Sequence, residues 1–216
     1  MGRCLIVTGG TLDIAFAKEF LQQRPYDFVI AADAGLASLK HLRLKPDAVV
    51  GDFDTVDEDI LSEYRSDPAI VFEIHRPEKD ETDTELALMV AARNGCKSVD
   101  ILGALGGRMD HAVANIQLMY QFFRQGMEIC IYDDRNRLYL LEGRKVFRRR
   151  ELYGKYISFL PVTEKVEGLT LKGFKYPLNR KTVFLGTSLC ISNELSREEG
   201  ILEMDNGVLL CVESHD

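Results

Sequence analysis

Short buried strands alternate with amphipathic helices through the first half of this chain. Apolar strand-like runs lie at 4–8, 28–32, 48–50, 71–74, 99–102 and 129–132, and helical patterns separate most of them. Such alternation predicts βαβ units, in which a parallel sheet is covered by helices on both faces. We therefore predict an α/β N-terminal domain with three layers, α/β/α, and a mostly parallel sheet.

Acidic residues follow several of these strands, at the points where strands give way to helices. The segments are Ala-Asp-Ala-Gly at 32–35, Gly-Asp-Phe-Asp at 51–54, Asp-Glu-Thr-Asp at 80–83 and Gly-Gly-Arg-Met-Asp-His at 106–111. Such junctions line up along the carboxyl edge of a parallel sheet, where α/β proteins bind ligands. Gathered carboxylates repel one another unless they share a cation. The pattern therefore predicts a magnesium site that handles phosphates.

The pattern changes after residue 133, where short β-rich runs are separated by Gly, Pro and Asn turns. This pattern of short strands and turns predicts an antiparallel β-sandwich or barrel. We expect two domains, a nucleotide-binding catalytic domain over 1–133 and a substrate-binding domain over 134–216. Asn206-Gly207 lies between two apolar runs and predicts a hairpin turn, because both residues tolerate positive φ.

Composition excludes some classes of partner. The net charge of −7 gives no general attraction for nucleic acid, so a phosphate-rich substrate needs local Lys, Arg or metal. Five cysteines without metal-type spacing are typical of reduced thiols in a cytoplasmic protein. The apolar run from Cys4 to Val7 is too short for a signal peptide or a membrane span, so we expect no membrane association.

Asp52 and Asp54 are the best metal-ligand candidates. On an extended segment, residues two apart point the same way, so both carboxylates can hold one ion. An isolated Asp-x-Asp is more often a solvated turn, but the preceding strand and the other acidic junctions favour the metal site here.

Asp83 and Asp80 lie at the start of the next helix. Thr82 and Glu85 fit a capping box, which places Asp83 in the first helical turn and Asp80 just before it. Acids are favoured at helix starts in any case, so complementation of the helix dipole remains an alternative for Asp83.

Glycine-rich turns after two strands are candidate phosphate-binding loops. Gly106 and Gly107 let backbone N–H groups approach a phosphate at a helix N-terminus, and Arg108 can bind a phosphate oxygen. Asp110 is either a further metal ligand or the residue that orients a nucleophile. Gly9-Gly10 is a weaker example, since a bare glycine turn explains it equally well.

The combination of segments resembles thiamine pyrophosphokinase, most closely the bacterial branch. The matching segments run through nearly the whole chain in the family's order: Ala-Asp-Ala-Gly (32–35), Pro-Asp-Ala-Val-Val-Gly-Asp-Phe-Asp-Thr (46–55), Lys-Asp-Glu-Thr-Asp-Thr-Glu-Leu-Ala-Leu (79–88), Gly-Ala-Leu-Gly-Gly-Arg-Met-Asp-His (103–111), Tyr-Ile-Ser-Phe-Leu-Pro (156–161), Lys-Gly-Phe-Lys-Tyr-Pro-Leu (172–178) and Ser-Asn-Glu (192–194). Each segment alone is weak, and together they are specific.

The resemblance implies a homodimeric transferase that moves a diphosphate group from ATP to the thiamine hydroxyl, releases AMP and uses Mg²⁺. It places the family's metal-binding aspartates at Asp52, Asp54 and Asp83, and two further site positions at Asp33 and Asp110. It also implies that thiamine binds in a cleft between subunits, where Ser192 and Asn193 contact it. Without the resemblance, those two residues indicate only a hydrogen-bonded turn.

The chain differs from the eukaryotic members of the family in two respects. Those members stack a Trp on thiamine, and this chain contains no Trp, while His111 stands where they have Gln. The aromatic partner of thiamine and the adenine contacts are therefore not assigned from the sequence.

The predicted mechanism is an in-line attack of the thiamine hydroxyl on the β-phosphorus, assisted by placement and charge neutralisation. Either Asp80 or Asp110 accepts or orients the hydroxyl proton, and the sequence does not choose between them. Two alternatives remain: a nucleotide-sugar glycosyltransferase, which also uses an Asp-x-Asp metal site, and a non-catalytic nucleotide- or thiamine-binding regulator.

Overall fold

The computed structural model describes residues 2–54, 56–76 and 80–216. Contacts between Cα atoms divide the chain into two compact units, Met1–Asp134 and Arg135–Asp216. The division falls one residue after the boundary that the sequence predicts.

The first unit alternates strands and helices from end to end. Its elements are β1 (Arg3–Val7), α1 (Ile14–Gln22), β2 (Phe28–Ala32), α2 (Gly35–Leu42), β3 (Ala48–Gly51), α3 (Glu58–Arg65), β4 (Val71–Ile74), α4 (Asp83–Arg93), β5 (Ser98–Leu102), α5 (Met109–Phe123) and β6 (Glu128–Tyr132). Strands β1, β2, β3 and β5 are almost fully buried, because helices cover a parallel sheet and leave no face for polar residues. The predicted α/β class is confirmed.

The strand order in this unit is β4-β3-β2-β1-β5-β6, and every pair is parallel. Successive strands extend the sheet in one direction from β1 to β4, and then the chain returns to add β5 on the other side of β1. This reversal opens a crevice between the carboxyl ends of β1 and β5, the usual ligand site of open α/β sheets.

The second unit consists of antiparallel strands. They are β7 (Asn136–Leu141), β8 (Arg144–Arg148), β9 (Tyr156–Pro161), β10 (Lys165–Lys172), β11 (Leu178–Phe184), β12 (Glu199–Glu203) and β13 (Leu209–Ser214). One group has the order β7-β13-β9, and the other has the order β11-β10-β12-β8. Phe147 on β8, Phe159 on β9 and Phe174 meet edge to face at centroid distances of 5.6–5.7 Å, so the two groups pack against each other. The predicted β-sandwich is confirmed.

The predicted hairpin at Asn206-Gly207 is wrong. Gly207 has a φ of 100°, as a turn requires, but the flanking strands β12 and β13 belong to different groups of strands. Asn206 instead pairs with Glu167 of β10. The turn is therefore a corner between two layers, a distinction that depends on long-range pairing and leaves no local signal.

Candidate active site

A cavity of about 590 Å³ lies at the crevice between β1 and β5. Its walls come from the segments that follow β1, β2, β3 and β5 and from the first residues of α4 and α5. The lining residues are Thr8, Gly9, Gly10, Thr11, Ala32, Asp33, Ala34, Asp52, Glu81, Thr82, Asp83, Thr84, Gly103, Ala104, Gly106, Gly107, Arg108, His111 and Asn115. The sequence-predicted residues Gly9, Gly10, Asp33, Asp52, Asp83, Gly106, Gly107 and Arg108 therefore meet in one place.

Three carboxylates converge beside this cavity. Ligand oxygens of Asp33, Asp52 and Asp54 lie within 4.8 Å of one another, close enough to share one cation. Asp33 follows β2 and Asp52 follows β3, and these neighbouring parallel strands bring their ends together. Asp83 lines the same cavity from the start of α4 but is not a member of this group of three.

A strained turn, and not an extended segment, brings Asp52 and Asp54 together. Phe53 between them has a φ of 63°, and its ring is buried against Phe72 with a centroid distance of 6.0 Å. The backbone N–H of Asp54 donates to Asp52 Oδ1 at 3.2 Å. A left-handed conformation costs a non-glycine residue about 1–3 kcal/mol, which the buried ring helps to offset. The extended conformation that we predicted for this segment is wrong, although the two carboxylates do converge.

Repulsion among these carboxylates makes Asp54 harder to ionise. Its pKa is raised above the ordinary aspartate value, mainly by the negative charge of Asp52 and a hydrogen bond with it, and further by Asp33 and Asp83. A divalent cation would remove this repulsion. Oxygen-only ligands that carry several negative charges suit Mg²⁺, so these residues fit that ion.

The two glycine-rich loops line the cavity with Gly9, Gly10, Gly106 and Gly107. Within the described residues, no hydrogen bond uses the N–H groups of Gly9, Gly10, Gly106 or Gly107. Unused backbone donors beside a helix N-terminus are suited to binding phosphate oxygens.

The two loops also interlock. A Cβ atom added to Gly10 would lie 2.1 Å from the carbonyl oxygen of Gly103, and one added to Gly106 would lie 2.6 Å from that of Thr11. Only glycine permits this approach of backbone to backbone. Gly10 and Gly106 therefore allow the two glycine-rich loops to lie in direct backbone contact beside the cavity.

Arg108 lines the cavity and is paired with Asp110. Its Nη2 atom lies 2.5 Å from Asp110 Oδ2, and its Nε atom donates to Oδ1 at 3.1 Å. The hydrogen bond from Arg108 is the main reason that the pKa of Asp110 falls to about 2. Asp110 is therefore a weak proton acceptor and acts here to position Arg108.

Comparison with known proteins places this geometry in a family. The family model for the thiamin pyrophosphokinase catalytic domain matches residues 21–131, and the model for its vitamin B1 binding domain matches residues 145–209. The chain is 35% identical to the thiamine pyrophosphokinase of Bacillus subtilis over 87% of each sequence. The chain belongs to the thiamine pyrophosphokinase family.

Solved structures of bacterial members agree with this assignment. The thiamine pyrophosphokinase from Bacillus subtilis superposes with a TM-score of 0.87 at 32% identity, covering 99% of both chains. That from Geobacillus thermodenitrificans gives a TM-score of 0.84 at 31% identity, covering 99% of this chain and 98% of the other. The family model for the catalytic domain begins after Gly9 and Gly10, which the structure places in the cavity.

The second unit contains the two residues that the resemblance assigns to thiamine. Ser192 is exposed, with a φ of 54°, and its backbone N–H donates to Ser158 Oγ at 2.9 Å. Asn193 is only 2% exposed, and its side chain bonds to both the N–H and the carbonyl oxygen of Tyr176. Asn193 therefore holds the Tyr176 backbone, while the Tyr176 side chain remains 57% exposed.

Several lining residues were not predicted from the sequence, among them Thr8, Thr84 and Asn115. Thr84 and Asn115 lie on helices in which the apolar pattern dominates. Their position on the cavity wall depends on how α4 and α5 pack, which no local motif reveals. Asp80 is exposed and lies outside the cavity lining.

Proposed function

We propose that this protein is a thiamine diphosphokinase, which transfers the diphosphate group of ATP to the thiamine hydroxyl and gives thiamine diphosphate and AMP. The observation that carries the proposal is one cavity that joins a carboxylate cluster with unused backbone donors, in a chain of this family. Carboxylates to hold a cation and N–H groups to hold phosphates are what phosphoryl transfer requires.

ATP binds with its phosphates against the two glycine-rich loops. Gly9, Gly10, Gly106 and Gly107 supply backbone N–H donors, and Arg108 supplies a guanidinium already oriented by Asp110. These fixed donors neutralise charge on the transferred group without reorganising during the reaction.

Asp33, Asp52 and Asp54 would hold Mg²⁺, and Asp83 adds negative charge from the same cavity. A bound Mg²⁺ would supply positive charge that offsets the charge developing on the transferred group. The sequence assigned the metal to Asp52, Asp54 and Asp83. The short distances among the carboxylates of Asp33, Asp52 and Asp54 support adding Asp33 to that set.

The thiamine hydroxyl must lose its proton during the reaction. The pKa of about 2 at Asp110, caused by its pairing with Arg108, argues against Asp110 as the acceptor. Asp80 is then the remaining candidate among the residues that the sequence singled out. Asp80 is exposed just before α4, where an incoming substrate can reach its carboxylate.

Thiamine binds to the second unit of a homodimer, at the subunit interface. Ser192 offers an exposed hydroxyl, and the exposed ring of Tyr176, whose backbone Asn193 fixes, offers a face to the cationic thiazolium ring. Large apolar residues are exposed on the same unit, at Phe184, Leu185, Leu189 and Ile191, as expected of a surface that pairs with another chain.

The protein acts in the cytoplasm. Across the part of the chain that the structure describes, no helix is long and apolar enough to cross a bilayer. Cys4, Cys96, Cys190 and Cys211 form no disulfide, as expected in a reducing compartment.

Product analysis tests this function. The protein is incubated with ATP, Mg²⁺ and thiamine, and the nucleotides are separated at several times. The proposal predicts AMP and thiamine diphosphate in equal amounts, both dependent on thiamine and on Mg²⁺. ADP as the nucleotide product would contradict diphosphate transfer. A nucleoside diphosphate released from a nucleotide sugar would instead favour a glycosyltransferase, and binding without turnover would favour a regulator.

A further inference from the structure

Asn115 is a buried polar residue in the cavity to which no role has been given. It lies on α5, it is only 7% exposed, and its side chain forms part of the cavity lining. Its Nδ2 atom donates to the carbonyl oxygen of Ala104 at 2.9 Å. Ala104 belongs to the glycine-rich loop after β5, so Asn115 ties α5 to one of the two predicted phosphate loops.

This hydrogen bond fixes which way the amide points. A backbone carbonyl oxygen only accepts, so the amide nitrogen must face Ala104 and Oδ1 must point elsewhere. Among the described residues, no donor forms a hydrogen bond with Asn115 Oδ1. Asn115 lines the cavity and its Oδ1 is not among the buried unpaired atoms, so this oxygen stays accessible and a ligand can donate to it.

The chemistry of Oδ1 restricts what that ligand group is. Phosphate oxygens are acceptors and cannot bond to it, so it faces a part of the ligand other than the phosphates. ATP carries hydrogen-bond donors on its nucleoside half, namely the adenine 6-amino group and the two ribose hydroxyls.

We propose that Asn115 is a specificity-determining residue whose Oδ1 accepts a hydrogen bond from a donor on the nucleoside of ATP. The inference rests on the proposed function, because it takes ATP as the ligand of this cavity. The Nδ2 bond to Ala104 sets the distance between the nucleoside and the glycine-rich loop, so one side chain aligns both halves of the nucleotide.

The test compares ATP with three analogues that each lack one donor: purine riboside triphosphate, 2′-deoxy-ATP and 3′-deoxy-ATP. Wild-type enzyme should show a kcat/KM about tenfold lower for at least one analogue, since the bound analogue then covers Oδ1 without donating to it. Asn115→Ala should lower kcat/KM for ATP by about the same factor and should not lower that analogue further, as expected of partners in one interaction. The KM for thiamine should stay unchanged.

Asn94→Ala is the matched control, because Asn94 Nδ2 donates to Val90 O at the same 2.9 Å distance but lies outside the cavity. If Asn115→Ala does not fold, Asn115→Leu replaces it with a side chain of similar size that cannot hydrogen-bond. Equal use of all four nucleotides by wild-type enzyme would overturn the proposal. So would an equal loss for ATP and every analogue in the variant, which indicates a role through the loop alone. Either result leaves the formation of AMP and thiamine diphosphate, and hence the proposed function, intact.

Discussion

At the scale of single residues, the site is built from groups that destabilise the fold. Asp33 and Phe53 both have positive φ, and the carboxylates of Asp33, Asp52 and Asp54 repel one another. Such arrangements persist where function requires them, and the rest of the molecule compensates. Removing one of these charges should therefore have opposite effects on stability and on activity.

Asp54→Asn tests this opposition. Because the pKa of Asp54 is raised in the folded protein, its ionised form opposes folding at neutral pH, and that opposition disappears as the pH falls through the raised pKa. The metal-free variant should melt at a higher temperature than the wild type at pH 7, and the difference should shrink as the pH falls through the raised pKa toward the ordinary aspartate value of about 3.9. Its kcat/KM should fall about 100-fold or more, because the cation loses a ligand.

The matched control is Asp59→Asn, which removes the same charge from an exposed position near the start of α3. It should leave turnover within about twofold of the wild type, as for a surface substitution away from the site. A metal-free Asp54→Asn protein that melts below the wild type at pH 7 would contradict the repulsion described here. Thermal unfolding with and without Mg²⁺ measures the melting temperatures, and steady-state kinetics measures kcat/KM.

Asp110→Asn distinguishes a positioning role from a proton-accepting role. Asp110 stays ionised across the working pH range, because its pKa is about 2. Its replacement should raise the KM for ATP through Arg108 and should leave the acid limb of the kcat profile where it is in the wild type. A shift of that limb by about one pH unit or more would assign the proton acceptor to Asp110.

At the scale of elements, the two glycine-rich loops act as one unit. Gly10→Ala should clash with the carbonyl oxygen of Gly103, and overpacking of this kind costs about 1–3 kcal/mol. The loops should separate, so the KM for ATP should rise by more than the KM for thiamine. Steady-state kinetics with each substrate varied in turn gives this comparison.

Gly126→Ala is the control for the loop variant. Gly126 follows α5, and a Cβ atom added there meets nothing within 4 Å, so only its positive φ of 82° is disturbed. This variant should lose some stability and keep both KM values. Equal rises of both KM values in Gly10→Ala would show that the interlock does not act on the nucleotide specifically.

The sequence predicted the elements better than their long-range contacts. Alternating strands and helices, together with the capping of α4 by Thr82, whose Oγ1 accepts from Glu85 N–H at 3.2 Å, depend on local patterns and are confirmed. The N-cap of α3 is Asp57, whose side chain accepts from the backbone N–H of Asp59 at 2.9 Å. The conformation of Phe53 depends on Phe72, a neighbour that folding brings into contact with it.

At the scale of the whole molecule, the central question is whether two chains associate. We expect a homodimer, since Leu185 and Leu189 are 63% and 51% exposed and Phe184 and Ile191 are exposed beside them in sequence. Leu185→Asp with Leu189→Asp should convert the dimer to a monomer in sedimentation velocity experiments, because charges are costly in an apolar interface. Thiamine turnover should fall with dimer content.

Val71→Asp is the control for that pair, because Val71 is also an exposed apolar residue, 57% exposed, but lies on β4 of the first unit. This variant should remain a dimer. A wild-type protein that sediments as a monomer while fully active would remove the proposed subunit interface.

The most direct measurement is a crystal structure with Mn²⁺, a non-hydrolysable ATP analogue and thiamine. Anomalous scattering locates the metal without assumptions about the site. The account predicts one Mn²⁺ peak about 2.0–2.3 Å from carboxylate oxygens of Asp52 and Asp54, with Asp33 in the same cluster and the phosphates against the two glycine-rich loops. Metal and phosphates bound elsewhere, with these three side chains pointing apart, would contradict it.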